Sequence, residues 1–281
     1  MHPPRSRFGS RHERRCGYES GRLDAVTREA GPAAPGEWPS RPVVALTGAS
    51  SGIGLATANA FASRGSKLAL GYYGDGEPLA RLAENHPEGG DGVVSREFDV
   101  ADRAAAAEFI QLAEQRFDRV DVLVTCAGVH IWNPTPDHSW DDWDRVLDVN
   151  LNGTFACIRS ALPGMMERRA GRIITFSSEL ALTGHPEYAA YCASKGAIVS
   201  MTKALAREAA PAGVLVNCIA PGPIDTPMMQ ASPEYDHVEG QMPIGRYGRP
   251  EEIAEVVVSL ASEAGSFYVG QVLSPNGGAV I

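Results

Sequence analysis

The chain has 281 residues, of which 44% are hydrophobic and 21% are charged, and this balance predicts a globular protein with one sizeable core. The formal net charge of −9 argues against nucleic acid as a partner, because binding to phosphates requires an excess of lysine and arginine. No apolar run reaches the ~18 residues that a membrane span requires, so a soluble protein without a membrane partner is expected.

The first 42 residues differ in composition from the remainder of the chain. They carry eight arginines against five acidic residues, are rich in glycine, proline and serine, and lack sustained apolar periodicity. Such a segment cannot bury enough surface to offset its conformational entropy, so residues 1–42 are predicted to form a disordered extension. Residues 43–281 are predicted to form one domain. The five cysteines are widely spaced and odd in number, which indicates free thiols in a reducing compartment and therefore a cytoplasmic protein.

From residue 43 onwards, short apolar runs alternate with amphipathic stretches. Nearly continuous apolar runs indicate strands that are covered on both faces. The predicted strands are Val43–Thr47, Lys67–Gly71, Val93–Phe98, Val120–Thr125, Arg172–Ser177, Val214–Ile219 and Gly270–Leu273. The predicted helices include Gly52–Arg64, Asp102–Phe117, Trp140–Arg169 and Tyr188–Ala210. This alternation predicts an α/β fold, a single doubly wound, Rossmann-type domain with a seven-stranded parallel sheet.

The turn between the first strand and the first helix is rich in glycine. Its sequence is Thr47-Gly48-Ala49-Ser50-Ser51-Gly52-Ile53-Gly54. Gly48 permits a tight turn, Gly52 lets backbone N–H groups approach a pyrophosphate, and Gly54 lets helix and strand pack closely. The helix N-terminus also attracts an anion. An ordinary βα turn would explain three glycines alone, but the position at the start of the domain favours a dinucleotide site.

A tyrosine and a lysine lie four residues apart on the last predicted helix. Tyr191 and Lys195 therefore share one face of that helix. The pKa of free tyrosine is near 10. An adjacent ammonium that lowered this pKa by ~3 units would stabilise the phenolate by roughly 4 kcal/mol. Such a pair on an exposed helix is often inert. Tyr188 has Cys192 and not a lysine four residues on, so we expect it to line the substrate pocket.

A serine follows the predicted strand Arg172–Ser177. Ser178 lies at the carboxyl edge of the sheet, where ligands bind in folds of this class. Its hydroxyl could bond to a carbonyl oxygen while Tyr191 moves the proton. The alternative is a serine that caps the loop, a role that Ser177 would fill equally well.

These motifs follow one another in a characteristic order, namely the glycine-rich turn, Asp148-Val149-Asn150-Leu151, Ser178, Tyr191 with Lys195, and Pro221-Gly222 after a strand. Over about residues 43–281 the chain resembles the short-chain dehydrogenase/reductase family, in its 3-oxoacyl-(acyl-carrier-protein) reductase-like branch. The resemblance implies an NAD(P)-dependent oxidoreductase that transfers a hydride between nicotinamide and a carbonyl or secondary alcohol. It implies that Ser178 orients the substrate and Tyr191 donates or accepts the proton. Lys195 would lower the pKa of Tyr191 and bind the nicotinamide ribose, and Asn150 would hold a water that relays protons to Lys195.

The same resemblance implies the cofactor contacts. They are Gly48, Ser50, Ser51, Gly52, Ile53, Gly54, Tyr72, Asp99, Val100, Ala127, Gly128, Tyr191, Lys195, Pro221, Gly222, Ile224 and Thr226. Asp99 would touch the adenine, Ile224 and Thr226 the carboxamide, and residues 223–248 would form a mobile lid. The chain departs from the family pattern twice, with Thr125-Cys126-Ala127-Gly128 in place of Asn-Asn-Ala-Gly and Asn276-Gly277-Gly278 in place of Asp-Gly-Gly.

The choice between the two nicotinamide cofactors depends on the end of the second strand. NAD-preferring enzymes usually carry an acidic residue there, which binds both ribose hydroxyls and repels a 2′-phosphate. The corresponding residue is Tyr72, which favours NADP(H), and Ser50 and Ser51 could contact the phosphate. Asp75 could reach the ribose instead, and the loop has no arginine or lysine to bind the phosphate. NAD(H) therefore stays open.

The remaining candidate residues point to the substrate pocket or to packing. No metal is expected, because the histidines lack metal-ligand spacing. They are His130, His138 and His185, of which His185 could face the substrate. The indoles of Trp132, Trp140 and Trp143 are spaced for packing or for a pocket rim, and Met228-Met229 fits an apolar pocket wall or packing within the lid.

The family resemblance also implies a homotetramer. The predicted helices Trp140–Arg169 and Tyr188–Ala210 would pair with their copies in a neighbouring subunit. These helices carry more apolar residues than one sheet-facing side requires, among them Phe155, Ile158, Ile198 and Met201. The expected substrate is a small carbonyl or alcohol. Sugar, polyol and steroid dehydrogenases share the signature, and a catalytically silent NAD(P)-binding sensor is the alternative from another functional class.

Overall fold

The computed structural model describes residues 38–232, 235 and 242–281. Residues 1–37, which make up most of the predicted extension, lie outside the described residues, as does part of the predicted lid. No helix within the described ranges is long and apolar enough to cross a membrane.

Seven parallel strands form the central sheet, which confirms the predicted fold. They are β1 Val43–Thr47, β2 Lys67–Tyr72, β3 Val93–Glu97, β4 Val122–Thr125, β5 Gly171–Phe176, β6 Val214–Ile219 and β7 Val272–Leu273. The order across the sheet is β3-β2-β1-β4-β5-β6-β7, and every pair is parallel. Every residue of β1, β4 and β5 is buried, which explains their nearly continuous apolar sequences. The strand order reverses between β1 and β4, which opens a crevice at their carboxyl ends.

The helices cover both faces of this sheet. They are α1 Gly52–Ala62, α2 Glu77–Asn85, α3 Arg103–Phe117, α4 Trp140–Leu147, α5 Thr154–Arg168, α6 Leu180–Thr183, α7 Ala189–Ala209, α8 Pro227–Gln230 and α9 Pro250–Ala261. The single helix predicted over residues 140–169 is interrupted by a π-helical segment, Asp148–Gly153, between α4 and α5. The predicted strand at residues 270–273 is shorter than expected, because Gly270 has a φ of 65° and cannot continue an extended backbone.

Two apolar cores lie on opposite faces of the sheet. One is formed under α3, α5 and α7, where Phe109, Ile158 and Met165 are fully buried. The other lies under α1, α2 and α9, where Phe61 and Leu79 are almost fully buried. Burial of side chains of this size contributes about 1.5–3 kcal/mol each, so the two cores fix the strand ends from which the site loops emerge.

Candidate active site

A cavity of about 670 Å³ lies where β1, β4, β5 and β6 end. The predicted site residues in its wall are Gly48, Ser51, Gly52, Ile53, Gly54, Ala127, Gly128, Ser178, Tyr191, Lys195, Pro221, Gly222, Ile224 and Thr226. The predicted residues outside its wall are Ser50, Tyr72, Asp99, Val100 and Asn150. Segments that are far apart in the sequence therefore meet around one space, at the edge of the sheet that the sequence indicates.

The glycine-rich turn leaves no room for larger residues. Gly48 has a φ of 69°, and a Cβ atom there would lie 2.7 Å from the Ala127 nitrogen. A Cβ atom on Gly54 would lie 1.9 Å from the Gly48 carbonyl oxygen, and one on Gly52 would lie 3.1 Å from the Thr226 side chain. The first turn of α1 carries no acidic residue. The turn and the helix N-terminus thus fit a pyrophosphate, and the cavity fits a nicotinamide dinucleotide.

The predicted catalytic side chains meet on the wall of this cavity. Tyr191 on α7 and Ser178, which follows β5, both line the cavity, and their side chains interact closely enough for Ser178 to lower the pKa of Tyr191. The Lys195 ammonium lies 5.6 Å from the centre of the Tyr191 ring and donates to the Phe176 carbonyl oxygen at 3.0 Å. The Ser177 hydroxyl donates to the Lys195 carbonyl oxygen at 2.8 Å. Ser178 is therefore the serine that contacts Tyr191, and Ser177 anchors α7 to the strand end.

Burial controls the pKa of the tyrosine. Desolvation raises the pKa of Tyr191 to about 12, although the hydrogen bond from Ser178 opposes this rise. Burial also lowers the pKa of Lys195. The Lys195 ammonium is directed at the Phe176 carbonyl oxygen, and desolvation of the phenolate outweighs the other influences on the pKa of Tyr191. The lowering of this pKa by Lys195 therefore stays a prediction.

The fourth predicted catalytic residue, Asn150, lies in the π-helical segment and is 1% exposed. Its Oδ1 accepts from the Val129 nitrogen at 2.8 Å, and its Nδ2 donates to the Val129 carbonyl oxygen at 2.9 Å. Nδ2 also donates to the Ser194 hydroxyl at 3.0 Å. The side chain therefore ties the loop after β4 to α7, and the predicted water relay remains a prediction.

A carboxyl that the sequence analysis did not consider also lines the cavity. Glu179 follows Ser178 directly and is 7% exposed, and burial raises its pKa to about 7. The signal in the sequence was an acidic residue at the end of a buried strand, beside a candidate catalytic serine. Other lining residues that the sequence analysis did not assign to the site are Cys126, Phe176, Leu180, Thr183, Ala279 and Val280.

The end of β2 carries the residues expected to select the cofactor. Tyr72 is half-buried, and a Cβ atom on Gly76 would lie 2.7 Å from its ring. Asp75 Oδ1 accepts from the Glu77 nitrogen at 2.9 Å at the start of α2. The Asp75 carboxylate thus already has a backbone partner, which disfavours the alternative in which it binds the ribose.

The predicted adenine contacts have partners within the chain. Asp99 accepts from Arg145 at 2.6 Å and from the Ala101 nitrogen at 3.0 Å. Val100 is buried and packs against Gly153 of the π-helical segment. These contacts fix the loop after β3 against the helix that carries Asn150.

Aromatic side chains, among them Tyr188 and His185, line part of the cavity, and their contact with a substrate stays a prediction. The Tyr188 hydroxyl is hydrogen-bonded to the Ser232 hydroxyl at 3.1 Å. The His130 ring packs 6.2 Å from the Tyr191 ring, centre to centre, and bonds to the Met228 backbone. Two of these rings therefore contact the segment after Thr226, which belongs to the predicted lid.

The other singled-out aromatic and histidine residues lie away from the cavity wall. The Trp132 ring packs edge-on against His130 at 5.1 Å. Trp140 is exposed and packs against Trp143 at 6.4 Å. Both ring nitrogens of His138 are buried without a hydrogen-bond partner in the described part of the chain. Within the described ranges no group of three or more histidine, cysteine, aspartate or glutamate residues could hold a metal ion.

The apolar residues assigned to a subunit interface divide into two groups. Ile158 and Ile198 are fully buried within the chain, so they were wrong indicators of an interface. Phe155 is 46% exposed and Met201 is half-buried, so these two remain available. Near the C-terminus, Asn276 bonds within its own turn to the Gly278 nitrogen and the Val280 carbonyl oxygen.

Residues 48–280 match a protein-family model described as enoyl-(acyl carrier protein) reductase. The chain is 37% identical over 243 residues to a 3-oxoacyl-(acyl-carrier-protein) reductase of Thermotoga maritima, an alignment that covers 85% of this chain and 98% of the relative. It is 38% identical over 246 residues to 2-(S)-hydroxypropyl-CoM dehydrogenase 3 of Xanthobacter autotrophicus, with 84% and 95% covered.

Solved structures show the same fold over nearly their full length. A glucose/ribitol-type short-chain dehydrogenase/reductase from Brucella melitensis superposes with a TM-score of 0.80 at 37% identity, covering 87% of this chain and 98% of that chain. A mutant short-chain dehydrogenase/reductase from Serratia marcescens superposes with a TM-score of 0.79 at 35% identity, covering 86% and 99%.

Proposed function

The chain belongs to the short-chain dehydrogenase/reductase family and is an NAD(P)-dependent oxidoreductase, and we propose that it reduces a 3-oxoacyl thioester or a similar ketone with Tyr191 as the catalytic acid. The observation that carries this proposal is the convergence of Ser178, Tyr191 and Lys195 on the wall of the dinucleotide-sized cavity. The names of the Thermotoga relative and of the family model support an acyl substrate.

Each proposed catalytic residue has a role that follows from its position in the cavity. The bound cofactor supplies or accepts the hydride. Ser178 and Tyr191 donate hydrogen bonds to the substrate carbonyl oxygen, and the Tyr191 proton moves to that oxygen as negative charge develops there. Lys195 lies on the same face of α7 and is positioned to bind the nicotinamide ribose. Its ammonium adds positive charge beside the tyrosine in the reacting complex.

The proposed acid is tested by removing one oxygen atom. Tyr191→Phe keeps the half-buried ring and loses the proton donor, so we expect a loss of ~10²–10⁴ in kcat with little change in cofactor affinity. Tyr188→Phe is the matched control, three residues earlier in the chain. The Tyr188 hydroxyl bonds to Ser232, and the residue four positions after Tyr188 is a cysteine and not a lysine. Steady-state rates and cofactor titration would measure both effects. Near-normal turnover of Tyr191→Phe would disprove the assignment.

We further propose that NADP(H) is preferred to NAD(H). Tyr72 stands where an acidic residue would repel the 2′-phosphate, and Asp75 is engaged with the start of α2. Tyr72→Asp is expected to shift the preference towards NAD(H) by tenfold or more, measured as the ratio of the two dissociation constants in fluorescence titration. Tyr73→Asp, at the neighbouring exposed position, is the control. A wild-type protein that binds NAD(H) more tightly would refute this preference.

The second candidate substrate class is a sugar or polyol, which the similarity to the glucose/ribitol-type structure supports. A panel of acyl thioesters, sugars, polyols and steroids, read through the absorbance of the reduced cofactor, separates the classes. A catalytically silent sensor is disfavoured by the presence of Ser178, Tyr191 and Lys195 in one cavity. We also propose a cytoplasmic homotetramer, with Phe155 and Met201 in an interface, and an N-terminal extension that is dispensable for catalysis.

A further inference from the structure

Glu179 occupies a fixed position beside the catalytic pair. Its backbone nitrogen donates to the Pro221 carbonyl oxygen at 3.0 Å, which joins the loop after β5 to the loop after β6. A Cβ atom on Gly222 would lie 2.5 Å from Glu179 Oε2, so the carboxyl packs directly against that glycine. The side chain is 7% exposed and lines the same cavity as Tyr191.

One oxygen of the Glu179 carboxyl lacks the partner that buried acids usually have among the described residues. Oε2 is buried and has no hydrogen-bond partner among the described residues. The ion pairs recorded for the described part of the chain do not include Glu179 either. An unpaired buried carboxylate is costly, and burial accordingly raises the pKa of Glu179 to about 7. The group therefore changes charge within the physiological range of pH.

The negative charge of Glu179 acts on Tyr191. Together with Cys192 and Tyr188, it raises the pKa of that tyrosine. The other ionisable groups on the cavity wall are Lys195, Cys126, His130, His185 and Tyr188. Burial raises the pKa values of Cys126, to about 12, and of Cys192, so near neutral pH these thiols are uncharged and Glu179 is the acidic group that ionises.

We propose that Glu179 is a positioning residue that keeps Tyr191 in its protonated form, through its charge across the shared cavity and not through contact with the substrate. This inference rests on the proposed function, in which Tyr191 is the acid/base. Ionised Glu179 disfavours the tyrosinate, which is the base required for alcohol oxidation, and leaves the phenol available for carbonyl reduction. At a given pH above neutrality, the charge of the carboxyl thus slows alcohol oxidation, while the equilibrium between ketone and alcohol is unchanged.

The test compares pH profiles of kcat/KM for alcohol oxidation, which report ionisations of the free enzyme. Glu179→Gln and Glu179→Leu both remove the charge but differ in polarity, whereas Glu179→Asp keeps it. We expect the apparent pKa of the rising limb to fall by about one unit in the Gln and Leu variants, equivalent to about tenfold faster oxidation below that pKa. The Asp variant is expected to keep the profile close to that of the wild type.

Superimposable profiles for the wild type and the uncharged variants would overturn the inference. Equal shifts in the Gln, Leu and Asp variants would also overturn it, because they would show a role in packing rather than in charge. Tyr191→Phe separates this result from failure of the proposed function. If Tyr191→Phe abolishes turnover while the Glu179 profiles coincide, the acid/base assignment stands and only the role of Glu179 is wrong.

Discussion

Replacement of Asn150 by alanine tests whether this side chain holds the site together. Asn150 is buried and makes three hydrogen bonds, two to the Val129 backbone and one to Ser194. Each such bond contributes about 0.5–1.5 kcal/mol, so their loss predicts a destabilisation of roughly 2–4 kcal/mol. For a domain of this size, each kcal/mol lowers the Tm by about 2–4 °C. We therefore expect the Tm of Asn150→Ala to fall by roughly 5–15 °C.

Thermal unfolding followed by circular dichroism measures this effect, and a neighbouring asparagine provides the control. Asn152 lies in the same π-helical segment and makes one hydrogen bond, to Asp148 at 2.7 Å. Asn152→Ala is expected to cost about 1 kcal/mol or less. If Asn150→Ala melted no lower than Asn152→Ala, the structural role assigned to Asn150 would be wrong. If Asn150→Ala kept its stability but lost activity, the loss of activity would point to the proposed proton relay.

Two further predictions concern buried positions in the site. The pKa of Glu179 lies near 7 in the folded state, against an ordinary value of 4.5. Between these two pH values the unfolded state therefore binds fewer protons than the folded state. The free energy of unfolding thus falls as the pH rises from 4.5 to 7, by up to roughly 3 kcal/mol. Glu179→Gln is therefore expected to gain Tm relative to the wild type at pH 8 but not at pH 4.5, and an equal difference at both pH values in denaturation curves would refute this. Gly54→Ala places a methyl group 1.9 Å from the Gly48 carbonyl oxygen, so cofactor affinity is expected to fall at least tenfold in titrations. Gly90→Ala, which meets open space and needs no positive φ, should not change it.

The sheet was predictable because its strands are buried on both faces. The sequences of β1, β4 and β5 are nearly continuous apolar runs, and a shift of the strand register by one residue would not expose any of these strands to solvent. The π-helical segment was not predictable, because residues 148–153 continue the amphipathic pattern of the helices on either side. The prediction of two interface residues was wrong for a related reason. Ile158 and Ile198 lie on helices that pack against both the sheet and neighbouring helices, so a wide apolar face did not mean an exposed one.

The site was predictable where chemistry depends on the backbone and less so where it depends on burial. The glycine positions follow from steric limits that any nucleotide-binding turn imposes, and the cavity lies beside them. The pKa of Tyr191 could not be read from its spacing to Lys195. Helical spacing places the two side chains on one face but does not reveal that the ammonium is directed at the Phe176 carbonyl. Nor does it reveal how strongly burial opposes the phenolate.

The departure at Thr125-Cys126 shows how neighbouring residues steady the loop beside the cofactor site. Among the residues that the structure describes, the buried Thr125 hydroxyl has no hydrogen-bond partner, so it does not provide the polar contacts of an asparagine. Instead, the Ala127 nitrogen donates to the Thr47 hydroxyl at 3.3 Å, and Asn150 bonds to the next part of the loop. Because the Thr47 bond is long, Asn150 carries most of the constraint on this loop. Its replacement is therefore expected to weaken cofactor binding as well as stability, although Asn150 itself lies outside the cavity wall.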